Sequence, residues 1–201
     1  MPARLITGVT AALLSLHLGV LFGQSAHQWP TYPRKQAPAE LQPAVRHGEL
    51  VILAIRSATS SELTRELGTG GLADAIRVCH LSATALFHRL AREEGIAAGR
   101  TAARLRIPAN APRPWAAPIV KQYANAKSAS VDDFVVDLGD RVGVMSPVVH
   151  RPVCSPCHGV DEELDVSVRE ELKDRYPADR ATGFKDGDLR GWIWVEVPKG
   201  H

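Results

Sequence analysis

Apolar and polar positions follow two different periods along this chain, and the change falls near Ser130. Before it the spacing is three to four residues. From Ala44 to about Leu67, Val45, Leu50, Leu53 and Leu67 recur with charges between them, which predicts an amphipathic helix whose stripe is broadened by Val51, Ile52 and Ile55. Gly68-Thr69-Gly70-Gly71 ends it. Leu72, Ile76, Cys79, Ala83, Leu86 and Leu90 form the clearest stripe, and Gly95 follows its charged end at Arg92-Glu93-Glu94. Cys79 falls in the middle of that apolar face, whereas His80, about 100° further round, falls at its margin. Residues 99–107 (GRTAARLRI) read as extended, 108–112 as a proline-rich turn, and 115–126 as a short third helix.

After Ser130 the period shortens. Phe134, Val135 and Val136 make a short strand, Asp137-Leu138-Gly139-Asp140 a turn, and Val142 to Val149 a second strand. Residues 166–175 (VSVREELKDR) read as a charged helix stopped by Tyr176-Pro177, and Gly191 to Val197 as a final alternating strand. Helices first and a small antiparallel sheet afterwards predict an α+β fold. Residues 26–43 include Pro30, Pro33, Pro38 and Pro43 and little periodicity, so they read as a linker ahead of a single domain over 44–201.

The N-terminus changes the setting. A short positive start ending at Arg4 precedes the uncharged, mostly apolar run from Leu5 to Phe22, and the small residues Gly23 and Ser25 follow. This is the layout of a secretory signal peptide over residues 1–25. An uncleaved anchor through residues 5–22 is the alternative, although Thr7, Gly8, Ser15 and His17 weaken the run as a permanent span. Either reading exports the body of the protein, which predicts a periplasmic location. The net charge of +2, the lack of any run of five basic residues and the 5% aromatic content argue against a nucleic-acid partner.

The chemistry is concentrated in Cys154-Ser155-Pro156-Cys157-His158. It reads C-x-x-C-H, the attachment pattern of a c-type haem. Two thiols at this spacing can each form a thioether to one vinyl group along a haem edge, and the histidine that follows supplies a proximal iron ligand. C-x-x-C alone could instead be a redox dithiol or half of a zinc site. No second C-x-x-C or H-x-x-x-H follows to complete a zinc set, and Pro152 and Gly159 are poor flanks for a thioredoxin-like helix start. One covalently bound haem c, held by Cys154 and Cys157 with His158 on the iron, is the expectation. Cys79 is then left without an intramolecular disulfide partner. It is either a thiol filling a core position or a second iron ligand, with His80, Met145 and His150 as other candidates. His47 and His88 read as solvated helix residues.

Four blocks in this order resemble a bacterial family of single-haem c-type domains of PAS-like α+β fold, found as small exported cytochromes and as sensor modules. They are Ala75-Ile76-Arg77-Val78-Cys79, Arg100-Thr101 to Ile107-Pro108-Ala109-Asn110-Ala111-Pro112, the motif Cys154 to Gly159, and Tyr176 to Gly183 followed by Gly187-Asp188-Leu189-Arg190-Gly191. The resemblance implies that His158 is the proximal ligand and Cys79 the distal one. Arg190 and Lys185, in the glycine-rich loop, are candidate partners for the haem carboxylates. Asp179 and Asp188 read as turn-formers, and Asn110 has no assigned task.

The expectation is therefore an exported mono-haem cytochrome rather than an enzyme. A six-coordinate iron leaves no open site for a substrate, and thiolate ligation favours the ferric state, giving a low-potential electron carrier with an unidentified redox partner. The alternative is a haem-based redox or gas sensor for NO or CO, acting through a separate protein by release of Cys79. The chain ends soon after the last strand with no kinase, cyclase or methyl-accepting segment, which favours a stand-alone cytochrome or a sensor that signals through a separate partner, and of these the carrier is the expectation.

Overall fold

A computed structural model of the chain describes residues 28–76, 85, 87, 89, 92, 93 and 95–200. Residues 1–25, read above as a signal peptide, lie outside these, as do Cys79, His80 and His88. Among the described residues no helix is long and apolar enough to cross a membrane.

Five strands form one antiparallel sheet: β1 (Thr31–Pro33), β2 (Ala97–Thr101), β3 (Phe134–Asp137), β4 (Arg141–Val149) and β5 (Leu189–Pro198), side by side in the order β1-β3-β4-β5-β2. The long central pair runs from Arg141 opposite Pro198 to Val149 opposite Leu189, with a bulge between Val148 and Val149. The helices with continuous description are α1 (Gln42–Thr69), α2 (Ala117–Gln122), α3 (Ser155–His158) and α4 (Val166–Arg175), and residues 71–76 are also helical. The expected α+β class holds.

Alternation along the strands divides the core between the two faces of the sheet. Val135, Val142, Val144, Ile193, Val195 and Val197 meet Val45, Val51, Ile52 and Ile55 of α1. On the opposite face Phe134, Val136, Met145 and Trp192 pack against Trp115, Ala116, Ile119 and Val120 around α2. Gly48 lets α1 lie close to the sheet, since a Cβ there would come within 3.0 Å of Val144 and of Val195.

Three expectations are corrected. The buried stripe of α1 is Val45, Gly48, Ile52 and Ile55, whereas Leu50 and Leu53 stay 66% and 62% exposed. The sheet selects the β-branched stripe, which interdigitates with its valines. The proposed linker is partly structured: Thr31–Pro33 pair with Phe134–Val136 as an edge strand. Proline is tolerated there because an edge strand leaves one row of backbone groups unpaired. Arg34 then pairs with Glu49, and Leu41 is buried against the core, so these residues belong to the domain. The segment expected to be extended from Gly99 leaves the sheet after Thr101, where Arg104 and Arg106 bond to residues 157–182 rather than to a strand.

Candidate functional site

Residues 150–188 form an excursion between the two central strands, and its ends are tied together. His150 N–H donates to Asp188 O at 2.9 Å, and Gly187 N–H donates to His150 O at 3.0 Å. Gly187, with φ +79°, makes the turn that permits this. Beyond His150, Pro152–Cys154 form a 3-10 turn that runs directly into α3, with Pro156 in its first turn. The two cysteines are not joined in a disulfide. Gly159 N–H closes the short helix on Ser155 O at 2.8 Å. Asp165 caps α4 by accepting from Ser167 N–H at 2.9 Å. Cys157 packs beside Ile76, Val168 and Leu172, where helical residues 71–76 meet α4.

A strap of residues 176–184 fixes the histidine. His158 Nδ1 lies 2.7 Å from Ala181 O, and a carbonyl can only accept, so Nδ1 carries the proton and Nε2 keeps its lone pair. Phe184 N–H donates to His158 O at 3.1 Å and Gly183 N–H to Gly159 O at 2.6 Å. The strap is held in turn by the loop after β2. Arg180 N–H donates to Leu105 O at 2.8 Å, and Arg104 Nη1 to Thr182 O at 2.9 Å. Arg106 joins Asp179 and also donates to Cys157 O at 2.7 Å.

These elements enclose a cavity of about 270 Å³ at one end of the sheet, lined by Cys154, Cys157 and His158. Leu63 and Leu67 of α1, Leu72, Ala75 and Ile76, Leu105, Val148 and Trp192 make its walls mostly apolar. Arg100, Arg104, Arg106 and Arg190 supply positive charge around it. Thr59 and Thr101 also line it, and the Oγ1 atoms of both are buried without a hydrogen-bond partner among the described residues. A polar group in the cavity would satisfy them.

Arg190 Nη1 sits 3.1 Å from His158 Nε2. Burial, with Arg190 and Arg106 nearby, holds the imidazole well below its ordinary pKa, so it is neutral at neutral pH. Of the residues singled out by sequence, Cys154, Cys157, His158, Arg190 and Asn110 converge on this cavity. Lys185 is exposed and does not line it. Met145 is buried among Trp115, Phe134 and Trp192 on the α2 face, away from the cavity lining. His150 is likewise off the lining, fully buried and stacked on Phe184 with centroids 5.9 Å apart. His47 is half-buried on α1 rather than solvated. Asp188 serves its turn, accepting from Lys185 N–H at 2.8 Å and pairing with Lys127. Among the described residues no cluster of three or more His, Cys, Asp or Glu side chains could by itself hold a metal ion.

No role was read from the sequence for Arg104, Arg106, Ala181 or the two threonines, although all but Thr59 fall within the blocks quoted for the resemblance. The arginines carried a weak signal, since Arg104 and Arg106 follow Arg100 in an otherwise apolar stretch. Ala181 acts through its carbonyl and had none.

The sequence profile of the family described as Tll0287-like matches residues 29–198. Among solved structures, the chain is similar to the cyanobacterial heme-protein Tll0287, with a TM-score of 0.58 and 23% identity, over 81% of this chain and 96% of that one. At that identity the likeness speaks for the fold. None of the curated proteins matches the chain.

Proposed function

The chain belongs to the Tll0287-like family, and on that premise we propose that it is an exported mono-haem c-type cytochrome that carries electrons at low potential. Cys154 and Cys157 hold one haem c through thioethers, and His158 binds the iron. The observation that carries this reading is the convergence of both thiols and the Nε2 side of His158 on one cavity.

The residues fit such a group. A porphyrin is a large apolar plane with two carboxylates, and the cavity combines apolar walls with arginines and two unsatisfied hydroxyls. The similar solved protein is described as a heme-protein. When bound, the haem supplies one-electron redox chemistry at its iron. The chain does the rest. The thiols fix the cofactor, the Ala181 carbonyl holds the His158 ring in its Nδ1–H tautomer, and the apolar walls limit water. Arg190, already at the cavity, offers a cation to a haem carboxylate.

Cys79 is the proposed second ligand. Leu72, Ala75 and Ile76 line the cavity, and Cys79 lies three residues further along the sequence. A filled sixth position suits a carrier rather than an enzyme. The PAS-like description and the periplasmic location belong to the same proposal, with residues 1–25 as a signal peptide or 5–22 as an anchor. The involvement of helical residues 71–76 in the cavity wall favours one further reading, a redox or gas sensor in which loss of Cys79 from the iron shifts that segment against α4.

The test is maturation of the full chain in a host that attaches haem to exported proteins. Haem should stay with the polypeptide through acidified organic extraction, and the Cys154→Ala/Cys157→Ala double variant should lose it. Haem extracted from the unsubstituted protein would reject the c-type reading. Cys79→Ala should alter the low-spin spectrum. Rapid binding of CO to the ferrous protein would favour the sensor, and slow or absent binding the carrier.

A further inference from the structure

His158 is not held by its own helix alone. Its Nδ1–H donates to Ala181 O at 2.7 Å, and the Ala181 peptide is oriented from its other end, because Ala181 N–H donates to Asp179 Oδ1 at 2.7 Å. Asp179 Oδ2 accepts from Arg106 Nε at 3.1 Å, and Arg106 Nη2 reaches Cys157 O at 2.7 Å. The contacts close a ring from the imidazole through Ala181, Asp179 and Arg106 to the residue that precedes His158. Both charged side chains are largely withdrawn from solvent, at 14% and 8% exposed. Water therefore screens them poorly.

A turn-forming aspartate does not need this. Asp179 would satisfy Ala181 N–H in any Asx turn, without a buried arginine on its second oxygen. Holding an ion pair away from water is rarely the cheapest way to stabilise a loop. Its placement suggests what it does. Arg106 brings a positive charge beside the ligand histidine and Asp179 cancels it, while the ordered Ala181 carbonyl accepts the Nδ1 proton and makes Nε2 more basic.

We propose that Arg106 and Asp179 are positioning residues that set the donor strength of His158 and hence the reduction potential of the cofactor it binds. The inference rests on the proposed haem site and deepens it. The two members act with opposite sign. Losing the Asp179 charge leaves Arg106 uncompensated, which favours the less positive ferrous state and raises the potential. Losing the Arg106 charge leaves Asp179 uncompensated and lowers it. A purely structural pair would produce no such opposition.

The experiment is spectroelectrochemical titration of the mature holoprotein with Asp179→Asn, Arg106→Gln and both together. Asparagine can keep its Oδ1 as the acceptor for Ala181 N–H, while its amide nitrogen gives up both the charge and the acceptor used by Arg106 Nε. Each single change should alter the reduced-to-oxidised ratio at a fixed applied potential by about three- to tenfold, tenfold being about 59 mV for a one-electron couple. Asp179→Asn should move the potential up and Arg106→Gln down, and the double variant should return towards the starting value. Shifts of the same sign, or none, overturn the proposal. If Asp179→Asn gives no holoprotein, Arg106→Gln alone decides, since an unchanged or raised potential contradicts it. If Arg106→Gln gives none, a Asp179→Asn potential that fails to rise does the same. Should neither charge-removing variant load, Asp179→Glu decides: it keeps the charge and should hold the potential near its starting value, and a displaced potential rejects the proposal. Failure of the underlying haem reading is separate, because the unsubstituted chain would then carry no covalent haem.

Discussion

Arg190 donates to the lone pair of His158: Nη1 of the arginine lies 3.1 Å from Nε2 of the imidazole, the nitrogen left unprotonated by the bond to Ala181. Arg190 therefore keeps this nitrogen aimed at the cavity and keeps protons away from it. Arg190→Leu should leave the Nδ1–H tautomer intact, because Ala181 still accepts, but should raise the imidazole pKa, because a nearby cation is lost. Long-range 1H–15N spectra of the cofactor-free protein across pH 4–8 measure both. A switch to the Nε2–H tautomer in this variant would contradict the assignment.

His150 makes the fold acid-sensitive. It is fully buried, and neither ring nitrogen has a hydrogen-bond partner among the described residues. Burial, then the charge of Arg190, lower its pKa against opposing pulls from Asp188, Glu163 and Asp186. The unfolded chain thus binds a proton near pH 6.5 that the folded chain refuses until lower pH, so stability falls as pH drops through that window. His150→Phe keeps a ring against Phe184 and should flatten the decline. Urea unfolding at pH 7.5 and pH 5 compares the two, and an equal loss in the variant would exonerate His150.

Glu196 acts in the opposite regime. Burial alone would raise its pKa, but hydrogen bonds from Arg113 Nε at 2.9 Å and Trp115 Nε1 at 2.7 Å lower it overall. Its contribution is present above the ordinary carboxylate range and is lost as pH falls through the depressed value. Glu196→Gln should cost about 1.5–3 kcal/mol at pH 7, the range for hydrogen bonds to a charged group. The cost should shrink below pH 4. A pH-independent cost would point to packing instead.

The two stripes of α1 should differ sharply on substitution. Ile55 is fully buried against the sheet, so Ile55→Ala should cost about 2–5 kcal/mol. Leu50→Gln and Leu53→Gln should change stability by less than about 0.5 kcal/mol. Chemical denaturation of the three variants checks this. A large loss at Leu50 or Leu53 would mean that a partner covers them.

Local signals were legible where one physical cause dominated. Strands β3 to β5 follow from the short apolar runs after Ser130, and α4 from its charged run stopped by Tyr176-Pro177. The C-x-x-C-H motif, legible in the sequence, lines the cavity. What could not be read depends on contacts between distant segments. Leu50 looked as apolar as Ile52, and only the sheet decides between them. The prolines around β1 hid an edge strand that exists because Phe134–Val136 lie beside it. The Arg106–Asp179 ion pair spans two loops, and its effect on His158 passes through a backbone carbonyl that side-chain patterns never report.

The tie at His150 and Asp188 has a consequence for inheritance. Because the excursion over residues 150–188 leaves and rejoins the sheet at a pinched neck, the register of β4 on β5 does not depend on how many residues lie beyond it. Lengthening such a loop adds only a slowly growing entropic cost. Descendants of this fold can therefore gain or lose residues around the cavity while every strand keeps its partner, and length variation should accumulate there first.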